Sequence, residues 1–442
     1  EPSPSMEKKT VAVIGSGISG LTACHLLGDE YNVTIYDREE TLGMDSQSIS
    51  LPGSTRRVDT PLRIFNPLHY PNLTSIYASL SINFAPVSSA FSLSALPSFL
   101  PMVSPKPTAA WFRYTNVNGF PVVTPPALSS PYIKNLYRAF QTAFYLCRFF
   151  FSCHFLPSPP PTQSLGEYIQ DYPDFIKRQV ILPMLSVVCT CSYDSCMRYP
   201  ADIVTQYYSR QGLITWLPWN GLKHGGAHCR VTDGIDKVVE RLAEKGRKRL
   251  GAGVESITLV KDVRKISVKA GGAEHLFDFV VVATQPNQAA ALLPTECKAK
   301  RTLEKFEVEY SKVLVHKDRS LMPSKACDWT GVNIMVGDRK EGLEASQCSI
   351  WLNAIQDVEG GDVFQTWNPA QVPEKVLKEA VFSRPLLTVG SKQLCKELAE
   401  EQGNHGIFFV GSYVPYDMPL LENGVVSAIE VGRRLGLEIR CS

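Results

Sequence analysis

Six residues near the start of the chain, Gly15-Ser16-Gly17-Ile18-Ser19-Gly20, form the pattern G-x-G-x-x-G. The first glycine permits a tight turn, the second lets the backbone approach a pyrophosphate, and the third lets a following helix pack on the preceding strand. A helix that opens at this loop directs free N–H groups and the positive end of its dipole at the phosphates. Asp37 closes the next apolar run, "YNVTIYD". A carboxylate there accepts hydrogen bonds from both ribose hydroxyls and repels a 2′-phosphate. The chemistry is that of holding a dinucleotide.

Other reactive types are scattered. Arg63 offers a cation for a ring or a substrate carboxylate, or equally a structural ion pair. "NGLKHGGAHC" sets His224 and His228 between glycines, where either a substrate-facing or a merely structural role is open. Tyr413 and Asp417 lie in "SYVPYDMP", as a pocket wall or as turn residues. No Ser-His-Asp or Cys-His arrangement stands out. The cysteine group Cys189, Cys191 and Cys196 lacks the spacing of a zinc site and reads as buried thiols, so no metal is expected.

The elements that must position these groups follow from periodicity. "TVAVI" (10–14) suits a buried parallel strand, "SGLTACHLLGD" has helical spacing, and "YNVTIYD" is a second strand, which makes a βαβ unit. "FDFVVVAT", ending at Ala283, and "GIFFVGS" read as strands that return to the same sheet. A last helix begins near Glu422, with Asn423, Gly424 and Val425 at its positive end. Three separated segments (6–78, 216–300 and 402–442) thus build one nucleotide domain, and 79–215 with 301–401 build a substrate domain. The expected class is α/β, a Rossmann-type domain joined to an α+β domain.

The chain has 442 residues and a formal net charge of +2. The length suits two domains, and the near-neutral charge gives no support for nucleic-acid binding. Twelve cysteines are too sparse for a disulfide scaffold. With no apolar leader visible, a cytoplasmic location is the expectation.

Between about 80 and 161 the chain is rich in proline, serine and aromatic residues. Within it, Leu136, Phe140, Phe144, Cys147 and Phe151 recur at helical spacing, with Lys134, Arg138, Gln141 and Arg148 on another face. Charges interrupt the run, which excludes a spanning helix. The helix is read as facing the core of the second domain, with contact to a membrane surface through 132–156 as the alternative.

"VAVIGSGISGL", "RVDTPLRIFNPLHYPNLTSIYASL", "ILPMLSVV", "FDFVVVATQPNQAAALLP", "VLVHKDRSLMP" and "FVGSY…ENGVVSAIE" together resemble the FAD-dependent amine-oxidase-like flavoproteins. The branch they most resemble is the one associated with cyclopropane-fatty-acid synthases, and its fungal relatives. The resemblance implies one FAD between two domains. Gly15, Ser16, Gly17, Ile18, Ser19 and Gly20 would hold the pyrophosphate, with Ala283 beside them, and Asp37, Arg38 and Val254 the adenosine. Met44, Asp45, Thr60, Pro61, Leu62 and Arg63 would run beside the isoalloxazine, with Ser412, Gly424 and Val425 at its other end.

Three departures mark this chain: Asp37 stands for glutamate, Met44 for the second glycine of a pair, and Pro61 and Arg63 for a glycine and an apolar residue. The C-terminal loop has no cysteine to attach a flavin, so FAD is expected to be non-covalent. The implied activity is dehydrogenation of a C–N or C–C unit in a small apolar substrate, with oxygen or another acceptor reoxidising the flavin. Arg63, His224 and Tyr413 are the catalytic candidates. A redox-neutral double-bond isomerase and a non-catalytic flavin-binding partner are the alternatives.

Overall fold

The computed structural model describes residues 8–51, 57–88, 90–96, 109–117, 120–124, 132–210, 228–338, 344–356 and 358–439. His224 lies outside them. A five-stranded parallel sheet runs in the order 247–249, 32–36, 10–14, 279–282, 407–409. Its central strands, Thr10–Ile14 and Phe279–Val282, are nearly continuous buried apolar residues, as a sheet covered on both faces requires. The loop helix Ile18–Leu27 and the C-terminal helix Leu421–Arg434 pack against each other over this sheet. A three-stranded antiparallel meander, 254–260, 265–270 and 273–277, leads into the strand Phe279–Val282.

The second layer is an eight-stranded sheet in the order 376–386, 307–316, 364–367, 344–351, 332–338, 91–95, 112–117, 120–124. All its pairings are antiparallel except 332–338 with 91–95. Gln365 ties this sheet to the segment expected beside the ring. Its Oε1 accepts from the Leu62 N–H (2.7 Å) and its Nε2 donates to the Asp59 carbonyl (3.0 Å).

The 24-residue helix Tyr132–Phe155 differs from its sequence reading. Its core face is Ala139, Leu146, Phe149 and Cys153, with Thr142 between them. Phe140, Phe144, Cys147 and Phe151, read as its core anchors, face outward instead. Both sets recur at the same three-and-four spacing, so periodicity cannot separate them. Packing decides: Phe149 meets Tyr208 edge-on at 5.4 Å, and the helix Ala201–Arg210 that carries Tyr208 fills the inner side.

Candidate active site

The dinucleotide loop is built as its glycines require. Gly15 has φ +102°, and its N–H donates to the Tyr36 carbonyl (2.8 Å), which ties the turn to the second strand. A Cβ on Gly20 would lie 1.9 Å from the Gly15 carbonyl oxygen, so only glycine lets the helix approach this closely. Gly17 is the exception. Its φ and ψ of −68° and 177° suit any residue, and a Cβ there would meet nothing within 4 Å. No protein atom asks for glycine at 17. Its backbone is exposed, and no side chain caps the helix it opens.

The C-terminal helix is likewise without a side-chain cap. The two N-termini come together, since a Cβ on Gly424 would lie 2.6 Å from Ser19 Oγ and 2.9 Å from Ile18 Cγ2. Val425 is buried behind Gly424, and Ser412 follows Gly411, whose N–H donates to Ser427 Oγ (2.9 Å). Two uncapped positive helix ends at one place make an anion site. Thr60 Oγ1, in the segment expected beside the ring, is a buried hydroxyl oxygen with no hydrogen-bond partner.

At the adenosine end, Asp37 Oδ2 accepts from the Ser16 N–H (2.8 Å) and the Ser16 hydroxyl, while Oδ1 accepts from the Glu39 N–H (3.0 Å). The Gly43 N–H donates to Ser16 Oγ (2.6 Å). A carboxylate has about four acceptor positions, so the shorter Asp37 steadies the loop and keeps capacity for a ribose hydroxyl. Gly251 and Ala252 donate to the Glu39 and Asp37 carbonyls (2.8 and 3.2 Å), which brings Val254 beside this acid. Arg38 is exposed and pairs loosely with Glu39. Ala283 donates to the Ile14 carbonyl (2.8 Å) and backs Gly15. An open glycine, two uncapped helix ends and an orphaned hydroxyl fit an FAD laid along these segments.

The ring-side segment is braced from within. Arg63 is half-buried and donates to the carbonyls of Met44 (2.6 Å) and Pro61 (3.2 Å). It therefore staples together the two segments that carry the departures. Burial holds its pKa below the usual arginine value, against the pull of Asp59, and burial raises Asp59 in turn. Asp45 is buried and pairs with Arg57 at 3.1 Å. Tyr413 is fully buried, donates to the Thr284 carbonyl (3.2 Å) and packs edge-on against Phe306. Asp417 pairs with Arg210 at 2.6 Å.

Sequence reasoning did not single out Arg384. It lies half-buried on the strand Val376–Leu386, with its guanidinium over the Trp367 ring at 5.7 Å. Its Nε is buried without a hydrogen-bond partner. Val188, Cys189, Pro385, Met418, Pro419 and Leu420 line a small cavity with it, so the cavity ends at the loop that starts the C-terminal helix. Burial pulls its pKa below the ordinary value; Glu309 stands opposite it on the strand Glu307–His316, but its carboxylate accepts from Ser192 instead. The sequence around it, "FSRPLL", carries no spacing signal.

Residues 13–80 match the NAD(P)-binding Rossmann-like domain, and residues 189–354 match the flavin containing amine oxidoreductases. A search of curated proteins returned no match. Among solved structures, a putative protoporphyrinogen oxidase from Exiguobacterium sp. 255-15 is similar, with a TM-score of 0.65 and 14% identity over 98% of this chain and 100% of that one. A CLA-producing fatty acid isomerase from P. acnes has a TM-score of 0.64 and 13% identity over 98% and 100%. Cyclohexylamine oxidase from Brevibacterium oxydans has 0.64 and 12% over 97% and 100%. At such identities the likeness is one of fold.

Proposed function

We propose a reaction for this chain, which is an amine-oxidase-like FAD-dependent oxidoreductase: dehydrogenation of a C–H bond in a small apolar substrate that carries an anionic group. The observation that carries the reading is the meeting of two uncapped helix N-termini at Ser19 and Gly424, beside an open Gly17. When bound, non-covalently, FAD supplies the two-electron acceptor. The chain's own residues do the rest. The loop helix holds the pyrophosphate. The C-terminal helix keeps positive potential at Asn423–Val425, which would stabilise negative charge on a reduced flavin held there. Arg63 fixes Met44 and Pro61 so that the ring-side surface is rigid.

Arg384 supports the anionic group. An arginine is a permanent cation, and the Trp367 ring offsets only part of the cost of leaving its buried Nε without an acceptor. The oxidised ring is neutral, so it does not relieve that cost in the resting state; a carboxylate on the substrate does. Val188, Pro385, Met418 and Leu420 give the small space beside it an apolar wall, which has to open to admit a carbon chain. The substrate loses two electrons and two protons to form C=N or C=C, and oxygen or another acceptor takes the electrons. The resemblance to the cyclopropane-fatty-acid-synthase-associated branch fits an acyl chain of this kind. A second reading, redox-neutral double-bond isomerisation, is the activity of one neighbour of the same fold, the fatty acid isomerase.

The test begins with the visible absorption of the purified protein and the release of FAD on heating. A protein that neither holds nor takes up FAD defeats the whole reading. The loaded protein is then titrated with decanoate and with decylamine while the flavin spectrum is followed. Decanoate should perturb the spectrum, and Arg384→Met should weaken it by at least about 30-fold, the loss expected when a buried charge pair is broken. Equal binding of the amine, unchanged in Arg384→Met, would reject the carboxylate while leaving the flavin in place. Oxygen uptake with a bound substrate supports oxidation; product without uptake supports isomerisation.

A further inference from the structure

The helix Tyr132–Phe155 presents a second apolar face that nothing among the described residues covers. Tyr137, Phe140, Phe144, Phe151 and Phe155 are each more than half exposed, and Leu156 just beyond the helix is 55% exposed. With the exposed Cys147 they form one stripe. At 3.6 residues per turn these positions fall within about 80° of the circumference and extend for about 27 Å. Scattered exposed apolar residues need no explanation, but a contiguous aromatic stripe marks an interaction surface. No helix among the described residues is long and apolar enough to cross a membrane, so this one lies along whatever it meets.

Charge selects the occupant. The helix carries Lys134, Arg138 and Arg148 and has no aspartate or glutamate. Both arginines are exposed: Arg148 borders the stripe over the Tyr172 ring (4.8 Å), and Arg138 lies further round the helix over the Phe175 ring (5.5 Å). The neighbouring segment 165–178 that supplies those rings sets Glu167, Asp171 and Asp174 against Lys177 and Arg178, so the positive surplus belongs to the helix. A second copy is disfavoured by the same pattern. Antiparallel pairing about the helix midpoint near Ala143 sets Arg138 of each copy toward Arg148 of the other, with no acid on the helix itself to relieve the repulsion. An aromatic stripe on a basic helix is suited to the interface of an anionic bilayer, where such a helix buries its apolar face about 5–10 Å deep.

We infer that the outer face of Tyr132–Phe155 docks the protein on anionic lipid surfaces. This stands apart from the reaction assigned above, since it needs neither FAD nor turnover. The experiment is flotation of the full chain with vesicles of phosphatidylcholine alone and of phosphatidylcholine mixed with a minority of phosphatidylglycerol. Wild type should float with the mixed vesicles. Phe140→Ser/Phe144→Ser/Phe151→Ser, whose changes touch no core contact, should lose at least about a hundredfold in partitioning. Arg138→Gln/Arg148→Gln should lose about fivefold per charge on the mixed vesicles and be unchanged on the neutral ones. Circular dichroism checks that both variants are folded. A wild type that ignores mixed vesicles, or a triple-serine variant that floats like wild type, overturns the inference. So does a wild-type dimer that ignores vesicles and becomes monomeric in the triple-serine variant.

Discussion

Gly17→Ala separates a residue that the protein needs from one that a ligand needs. In the cofactor-free protein the new methyl meets nothing within 4 Å, and the backbone at φ −68°, ψ 177° accepts alanine. Alanine restricts the unfolded chain, which is worth about 0.4–1 kcal/mol in favour of folding. It is also a poorer N-cap than glycine, which opposes that gain by a similar amount. The net change in stability should lie within about 1 kcal/mol of zero. The same methyl would stand on the exposed backbone where a pyrophosphate has to come close. Losing one charge-assisted hydrogen bond costs about 1.5–3 kcal/mol, so FAD should bind about 10–100-fold more weakly.

Gly20→Ala is the control with the opposite pattern. Its Cβ would stand 1.9 Å from the Gly15 carbonyl oxygen and 3.0 Å from Ala283 Cβ, and Gly15 is anchored through Tyr36. Forced overpacking of this kind costs about 1–3 kcal/mol or more, so here the empty protein itself should be weakened. Urea unfolding of the FAD-free proteins gives one axis and fluorescence titration with FAD the other. If Gly17→Ala binds FAD like wild type, or destabilises the empty protein as much as Gly20→Ala does, the assignment of the open glycine to a pyrophosphate is wrong.

Two further outcomes follow from buried polar groups. Glu422 accepts from the Asn72 N–H (3.0 Å) and Nδ2 (2.7 Å) and from the Leu73 N–H (3.0 Å), and so caps the helix Pro71–Ser79 from the C-terminal helix. Glu422→Gln presents an amide to one of these donors and should cost about 1–3 kcal/mol in urea unfolding; a change under half of that would mean the cap is dispensable. His316 and His228 are both held near pKa 4, chiefly by burial, with His69 adding to the effect at His228. His316 is fixed as the neutral form, accepting from the Asp318 N–H (3.2 Å) and donating to Thr366 Oγ1 (2.7 Å). In the unfolded chain both titrate near 6.5, so the unfolded state binds more protons between about pH 6.5 and 4. Their stabilisation is complete above that window and is lost as pH falls through it, by about 1.4 kcal/mol per pH unit for each histidine. The slope of unfolding free energy against pH, measured for wild type and His316→Gln, should drop by one proton's worth; an unchanged slope refutes the assignment.

The loop and sheet were legible because local pattern and final structure coincide there. A buried parallel strand must be an apolar run, and a pyrophosphate loop must space its glycines, so 10–20, 279–282 and 407–409 announce themselves. The aromatic helix was legible as a helix but not in its orientation. Ala139, Leu146 and Phe149 repeat with the same period as Phe140, Phe144 and Phe151, and only the partner helix Ala201–Arg210 breaks the tie. Gln365 was invisible, since its partners Asp59 and Leu62 lie some three hundred positions away.

Isolated buried charges show the same limit, and they also show what a structure adds. Arg63, Arg384 and Glu422 each sit in apolar stretches with no neighbour at an informative spacing, so sequence alone leaves structural and functional roles equally open. Once folded they divide by how their hydrogen-bonding capacity is filled. Glu422 receives three donors, and Arg63 has two carbonyls and Asp59 within reach. Arg384 alone of the three keeps a buried donor without an acceptor. Because a buried donor without an acceptor is costly, a fold keeps one where something else completes it. That is the physical reason for assigning the substrate's anion to Arg384 and positioning to Arg63, the residue at which the sequence had pointed.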